Sequence, residues 1–229
     1  MEGAVKMVKR IQHKVITPDD DFTHEDPWRV FRIMSEFVDG FEVLSQVGKA
    51  VSIFGSSRLK PSSKYYKLAE DTAYLLAKSG YAIITGSGPG IMEAANRGAR
   101  KGKGKSIGLN IQIPMEQQPN KYVDTLLDFH YFFVRKVMFV KYAKAFVIMP
   151  GGYGTMDEFT EAINLIQTER IPKFPVVLFG RDYWKGMLKW LHNTVLKHGS
   201  ISREDLNIFT LVDKPAEVVK VIEDFYAKA

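Results

Sequence analysis

Apolar and polar positions along this chain fall into two rhythms. Short, nearly continuous runs of Val, Ile, Leu and Phe recur at Ala50–Phe54, Tyr81–Thr85, Ser106–Ile111, Leu127–Phe133, Ala145–Met149, Pro175–Phe179 and Phe209–Val212. Runs of this length without strict alternation predict strands covered on both faces. Stretches of helical period separate them, near 63–79, 90–101, 134–143, 155–169, 182–198 and 215–228. Ahead of the first strand, Asp26-Pro27 reads as a helix cap followed by Pro at the first helical position. That helix carries Trp28, Phe31, Met34, Phe37 and Val38 on one apolar face. Repeated βα units predict an α/β fold: a doubly wound, mainly parallel, Rossmann-like sheet with helices on both faces. Residues 1–25, polar and bearing Asp19-Asp20-Asp21, predict a loose arm, and residues 26–229 a single domain.

Composition removes several chemistries. The 229 residues are 45% hydrophobic and 25% charged, which excludes disordered and low-complexity classes. There is no cysteine, so thiolate catalysis, disulfides and Cys-ligated metals drop out together. The five histidines, His13, His24, His130, His192 and His198, form no i, i+4 pair, and no metal or other cofactor is expected. No apolar run reaches the roughly 20 residues of a membrane span, and the N-terminus lacks a signal-like apolar core, so the expected setting is cytoplasmic with no membrane partner. The net charge of +6 changes little: the run Arg100 to Lys105 reads as a solvated helix end, and no aromatic-plus-basic pattern points to nucleic acid.

In a doubly wound sheet ligands collect at the carboxyl ends of the strands, and three loops there carry candidate chemistry. Gly55-Ser56-Ser57-Arg58 offers small residues and two hydroxyls, suited to a phosphate or ribose, or simply to a tight turn. Thr85-Gly86-Ser87-Gly88-Pro89-Gly90 has the glycines of a dinucleotide loop but not their spacing, because Ile91 stands where GxGxxG needs glycine. No acidic residue ends the next strand, so NAD is disfavoured. Pro150-Gly151-Gly152-Tyr153-Gly154-Thr155 opens a helix and has no Walker lysine. Its glycines let successive amides converge on an oxyanion, with Thr155 as a helix cap that also donates to the anion. Tight strand–helix packing is the alternative explanation. Glu158 either closes a capping box or projects into the crevice, and Arg135-Lys136 sits at the crevice edge or is ordinary surface charge.

Read together, these residues are similar to one family. Pro150–Glu158 matches the PGGxGTxxE signature of the LONELY GUY (LOG) family, formerly labelled lysine decarboxylases, and Arg135-Lys136 matches its RK dipeptide. The likeness extends through Phe54–Ser57, Gly86–Ala95 and Pro114–Gln117, over roughly residues 48–225. It implies hydrolysis of the N-glycosidic bond of an adenine-type nucleoside 5′-monophosphate, AMP or a cytokinin riboside monophosphate, to free base and ribose 5-phosphate, in the manner of an AMP nucleosidase. It also implies Arg135 and Glu158 as the catalytic pair. Lys136 and Gly151, Gly152, Tyr153, Gly154 and Thr155 would hold the nucleotide, assisted by Glu116, Ser56 and Ser57. A homodimer with the site near the subunit interface is implied as well.

This chain departs from plant-type members in two places. Thr85-Gly86-Ser87-Gly88 lacks their third glycine, and Phe132-Phe133-Val134 replaces their Met-His-x before the RK pair. Chemically, a carboxylate near the anomeric carbon stabilises the developing sugar cation and activates water. Arg135 either assists the departing base or clamps the phosphate. The other reading of the residues is a non-catalytic nucleotide-binding module; pyridoxal-phosphate decarboxylation finds no lysine pattern to support it.

Overall fold

A computed structural model describes residues 28–112 and 118–228. Its elements alternate as the hydrophobic pattern predicts: α1 Arg29–Leu44, β1 Ala50–Phe54, α2 Lys64–Lys78, β2 Ala82–Thr85, α3 Ile91–Lys101, β3 Ser106–Ile111, β4 Thr125–Phe129, α4 Phe132–Tyr142, β5 Ala143–Ile148, α5 Tyr153–Gln167, β6 Val176–Phe179, α6 Arg181–Trp190, β7 Phe209–Val212 and α7 Pro215–Ala227. The seven strands form one sheet in the order β4-β3-β2-β1-β5-β6-β7, every pairing parallel. The chain winds outward from β1 to β4, crosses back, and continues from β5 on β1's other side. The point where the order reverses therefore lies between β1 and β5, where such sheets open a crevice.

Both faces of the sheet are covered, as the unbroken apolar runs require. On one face Phe54, Ile84, Leu109, Phe146 and Ile148 pack with Leu44 of α1, Met138 and Phe139 of α4, Phe159 and Ala162 of α5, and Trp184 of α6. On the other, Val51, Ile53, Ile83, Val147 and Val177 meet Tyr66 and Leu76 of α2, Ile91 and Ala95 of α3, and Val218 and Ile222 of α7.

Three departures from the hydrophobic pattern have physical causes. The run Leu127–Phe133 is not one strand: β4 stops at Phe129, and Phe132 and Phe133 open α4. Glu36 of α1 accepts the backbone N–H groups of His130 (2.8 Å) and Tyr131 (3.2 Å), ending the ladder and turning the chain. The apolar face predicted for α1 does not turn to the sheet: Trp28, Phe31, Met34 and Val38 are exposed, and α1 docks instead through Gly40 and Leu44, with Ile33 and Phe37 half-buried. Gly40 permits that approach, since a Cβ there would stand 2.7 Å from Met138 Cε. The stretch 182–198 is α-helical from Arg181 to Trp190 and continues as a wider π-helix over Leu191–Val195. The predicted arm 1–25 and the Asp26-Pro27 cap lie outside the described residues.

Candidate active site

The loops after β1, β2 and β5 are joined by main-chain hydrogen bonds. Ser56 N–H donates to Pro150 O (3.0 Å), and Ile91 N–H donates to Ser56 O (3.0 Å). The glycines divide by what requires them. A Cβ on Gly55 would enter Ile91 (2.6 Å), and Gly90 has φ +68° and lies against the Ser56 and Ser57 backbone. Gly151 packs on Thr155, whose Cβ would be 2.7 Å from an added Cβ, and on Ser56 N (2.9 Å). Packing therefore accounts for these three. It does not account for Gly152 and Gly154: an added Cβ at either would meet nothing within 4 Å, and neither has positive φ.

Those two glycines flank the start of α5. Gly152 is the N-cap residue and makes no side-chain cap, leaving first-turn amides directed outward at the positive end of the helix dipole. Thr155 is not the cap expected from sequence. The helix begins two residues earlier, at Tyr153, so Thr155 is buried within its first turn beneath Gly151. Tyr153 is almost wholly exposed. Ser56 Oγ accepts the Arg58 N–H (3.1 Å), an ordinary turn contact, and Ser57 is exposed beside it. Glu116 lies outside the described residues.

Arg135, in the first turn of α4, and Glu158, in the second turn of α5, come together beside this turn. Arg135 Nη1 reaches 3.9 Å from the position of a Cβ on Gly86, so the guanidinium also borders the loop after β2. Its carbon lies 4.9 Å from the Phe132 ring centre and 5.7 Å from that of Phe139. Glu158 is 5% exposed, and neither its Oε2 nor Arg135 Nε has a hydrogen-bond partner. Buried polar atoms are almost always paired, so these orphans, with Glu161 Oε2 a third nearby, need a reason. Burial pushes the Glu158 carboxyl up to about 7, against the opposing pull of Arg135 and Lys136, with Glu161 and Asp157 adding to the rise. Burial lowers the Arg135 guanidinium, partly offset by Glu158 and Asp157, yet an arginine remains a cation at neutral pH. Capping does not explain Glu158, which lies too far into α5 to reach the cap.

Lys136 faces differently. Its Nζ donates to both carboxylate oxygens of Asp157 (2.9 Å each) and sits 3.3 Å from Glu161 Oε2. Burial alone would lower its ammonium, but these acids hold it above the ordinary lysine range.

Two positioning contacts have no counterpart in the sequence motifs. Tyr183 of α6 donates its hydroxyl to Gly151 O (2.8 Å), pinning the glycine turn from the loop after β6. Beneath the loop after β2, Thr85, Ser87, Asn96, Ser106, Asn110 and Asn120 form a buried or half-buried hydrogen-bonded network. Ser87 stands there at φ +63°, a left-handed conformation uncommon for a residue other than glycine. Among the described residues no cluster of three or more His, Asp or Glu could hold a metal, and no helix is long and apolar enough to cross a membrane. The recess of about 420 Å³ around Phe174, Val176, Ile208 and Phe225 opens at the N-terminal ends of β6 and β7, at the far edge of the sheet.

With this geometry in view, the family model described as "Possible lysine decarboxylase" matches residues 92–222, which include α4, the glycine turn and α5. The chain belongs to this family, the LOG family. Two curated relatives from Arabidopsis thaliana are named cytokinin riboside 5′-monophosphate phosphoribohydrolases. LOG3 is 30% identical over 180 residues, covering 75% of this chain and 80% of its own length, and LOG4 is 29% identical over 190 residues, covering 79% and 84%. Solved structures of the same fold include the molybdenum cofactor binding protein of Rippkaea orientalis, with TM-score 0.57 and 20% identity over 78% of this chain and 97% of that one. The Moco carrier protein of Chlamydomonas is another, with TM-score 0.58 and 19% identity over 78% and 98%. At those identities the likeness concerns the fold of this LOG-family chain alone.

Proposed function

We propose that the protein is a phosphoribohydrolase that cleaves the N-glycosidic bond of an adenine-type nucleoside 5′-monophosphate, AMP or a cytokinin riboside 5′-monophosphate, giving free base and ribose 5-phosphate. One observation carries this reading: a buried carboxylate oxygen and a guanidinium nitrogen, both unpartnered, stand beside two glycines that neither packing nor backbone geometry requires. Open space over Gly152 and Gly154 suits a ligand pressed against main-chain amides, and a 5′-phosphate is the group a helix N-terminus attracts. The names of the curated relatives support hydrolase chemistry on a nucleoside monophosphate.

Glu158 is five residues beyond Tyr153, about 7.5 Å along the helix axis. That separation suits a sugar whose phosphate rests on the first-turn amides and whose anomeric carbon reaches the carboxylate. As the bond to the base lengthens, positive charge grows on the ribose; the Glu158 carboxylate stabilises it and takes a proton from the attacking water. A pKa near 7 leaves a useful fraction ionised at neutral pH and makes that carboxylate a stronger base than an exposed one. Arg135, bordering Gly86 and Glu158, offsets negative charge on the departing purine, in a partly buried site where such charge stabilisation is strong. Binding energy from the phosphate holds the sugar for attack.

The test is to incubate the purified protein with AMP, isopentenyl-AMP and other purine and pyrimidine monophosphates and assay free base and ribose 5-phosphate. The expected result is turnover confined to adenine-type monophosphates. Tight binding with no base released from any of them would favour a binding module instead. A homodimer belongs to the same proposal: Phe132 and Phe133 lie about half exposed at the start of α4, close to Arg135. Light scattering giving only the single-chain mass of 26.0 kDa at assay concentration would remove it.

A further inference from the structure

Nothing in the protein bonds Arg135 directly to Glu158 through the two orphaned atoms, yet the proposed chemistry needs their spacing held. The neighbouring residues supply that hold. Consecutive helical residues project about 100° apart, so Arg135 and Lys136 do not face the same point, nor do Asp157 and Glu158. While Arg135 borders Gly86 and Glu158, Lys136 turns into α5 and meets Asp157 and Glu161, which are spaced i, i+4 and share a helix face. The Lys136 side chain is 17% exposed; its ammonium hydrogen-bonds Asp157 and stands at ion-pair distance from Glu161, whose buried Oε2 accepts no hydrogen bond. The Lys136–Asp157 pair thus joins α4 and α5 one residue away from each member of the candidate pair, and Glu161 lies three residues from Glu158.

We propose that Lys136 is a positioning residue: clasped by Asp157 and Glu161, it sets the distance between Arg135 and Glu158 and acts on the reaction through them rather than by gripping the nucleotide. The proposal rests on the phosphoribohydrolase reading above. Asp157 is more than half exposed, which makes the clasp a weak source of stability, so its use lies in geometry. An ammonium drawn toward a phosphate would first have to leave both carboxylates.

The experiment compares wild type, Lys136→Met, Lys136→Arg and the double variant Asp157→Asn/Glu161→Gln. It measures kcat and KM for base release, ribose 5-phosphate affinity by calorimetry, and Tm. A displacement of about 1 Å at reacting groups costs on the order of 10²-fold. Lys136→Met and the double variant should therefore each lower kcat by about that factor, with KM and ribose 5-phosphate affinity within roughly threefold of wild type. Lys136→Arg, which can still bridge both acids, should recover most of kcat, and Tm should barely change across the set. The proposal is overturned if Lys136→Met instead weakens ribose 5-phosphate binding at least about tenfold while the acid double variant keeps full kcat, the pattern of a phosphate grip. A wild type that releases base from no monophosphate would overturn the underlying reading, and this proposal with it. An active wild type with the reversed variant pattern overturns the proposal alone.

Discussion

Two polar regions lie side by side at the carboxyl end of this sheet, and they are built on opposite rules. Under the loop after β2, Asn96 donates to Ser106 and accepts from Thr85 (2.7 Å) and Asn120 (2.9 Å), while Ser87 donates to Asn110 (3.0 Å). Each side chain there has its partner within the protein. Across the crevice, Arg135 Nε and Glu158 Oε2 are equally enclosed and have none. A satisfied buried network rigidifies and specifies a scaffold, whereas an unsatisfied buried charge is costly and is kept only where something else gains from it. The first region therefore serves as support for the loop after β2, and the second is where, in the function proposed, a nucleotide completes the bonding.

The largest effect should come from Glu158→Gln, which keeps the shape and removes the charge. Base release should fall by at least about 10²-fold, the lower end for a group moving a proton. Stability should move the other way. Folding raises the Glu158 pKa from 4.5 to about 7, so the stabilisation this group contributes is present below about pH 4.5 and lost as pH rises through 7. The glutamine variant escapes that loss: its Tm should match wild type near pH 4 and exceed it at pH 8, by up to roughly 3 kcal/mol in stability. Equal Tm values at pH 8 would remove the claim that the ionised carboxylate is held at a cost.

Asn96→Ala attacks the other side of the comparison. It strands the buried Thr85 hydroxyl, at about 1–3 kcal/mol for an unpaired buried group, and takes one partner each from Ser106 and Asn120, which keep bonds to the Asn96, Ser87 and Gly88 carbonyls. Denaturant unfolding should report a loss of roughly 3 kcal/mol, with kcat of the remaining folded protein far closer to wild type than that of Glu158→Gln. A stable but inactive Asn96→Ala would blur the distinction between scaffold and site.

The pH profile sharpens it further. Activity that needs an ionised Glu158 should fall as pH drops through about 7, and Arg135→Lys, which keeps the cation but loses the planar fork, should move that limb less than Arg135→Ala, which raises it. Smallest of all, Tyr183→Phe deletes the donor to Gly151 O, a neutral bond of about 1 kcal/mol. Calorimetry should show ribose 5-phosphate affinity reduced by roughly five-fold or less.

Much of the fold and of the site is legible in the order of residues alone. The bounds of β1, β3 and β7 follow from their apolar runs, the glycine turn stands out by residue type, and the resemblance to the LOG family singles out Arg135 and Glu158 as candidates. What the residue order hides depends on partners distant along the chain. Phe132 and Phe133 look like strand because they are apolar, but Glu36, brought in from α1, takes the backbone donors of His130 and Tyr131 and turns the chain into a helix. The resemblance assigns Lys136 to the nucleotide, and the residue order does not show that the packing of α4 on α5 brings Asp157 and Glu161 to its ammonium. Tyr183 carries no local signal at all. Likewise the period of α1 identifies its apolar residues without saying that Phe31, Met34 and Val38 remain exposed.

The claim beneath all of this is that Arg135 and Glu158 together act on a nucleotide held at the start of α5. Ribose 5-phosphate formed from the best adenine-type monophosphate, measured in parallel for wild type, Arg135→Ala and Glu158→Ala, tests it most directly. The account predicts free base and ribose 5-phosphate in equal amounts from wild type, and at least about 10²-fold less from either variant. Undiminished product from both variants would contradict it.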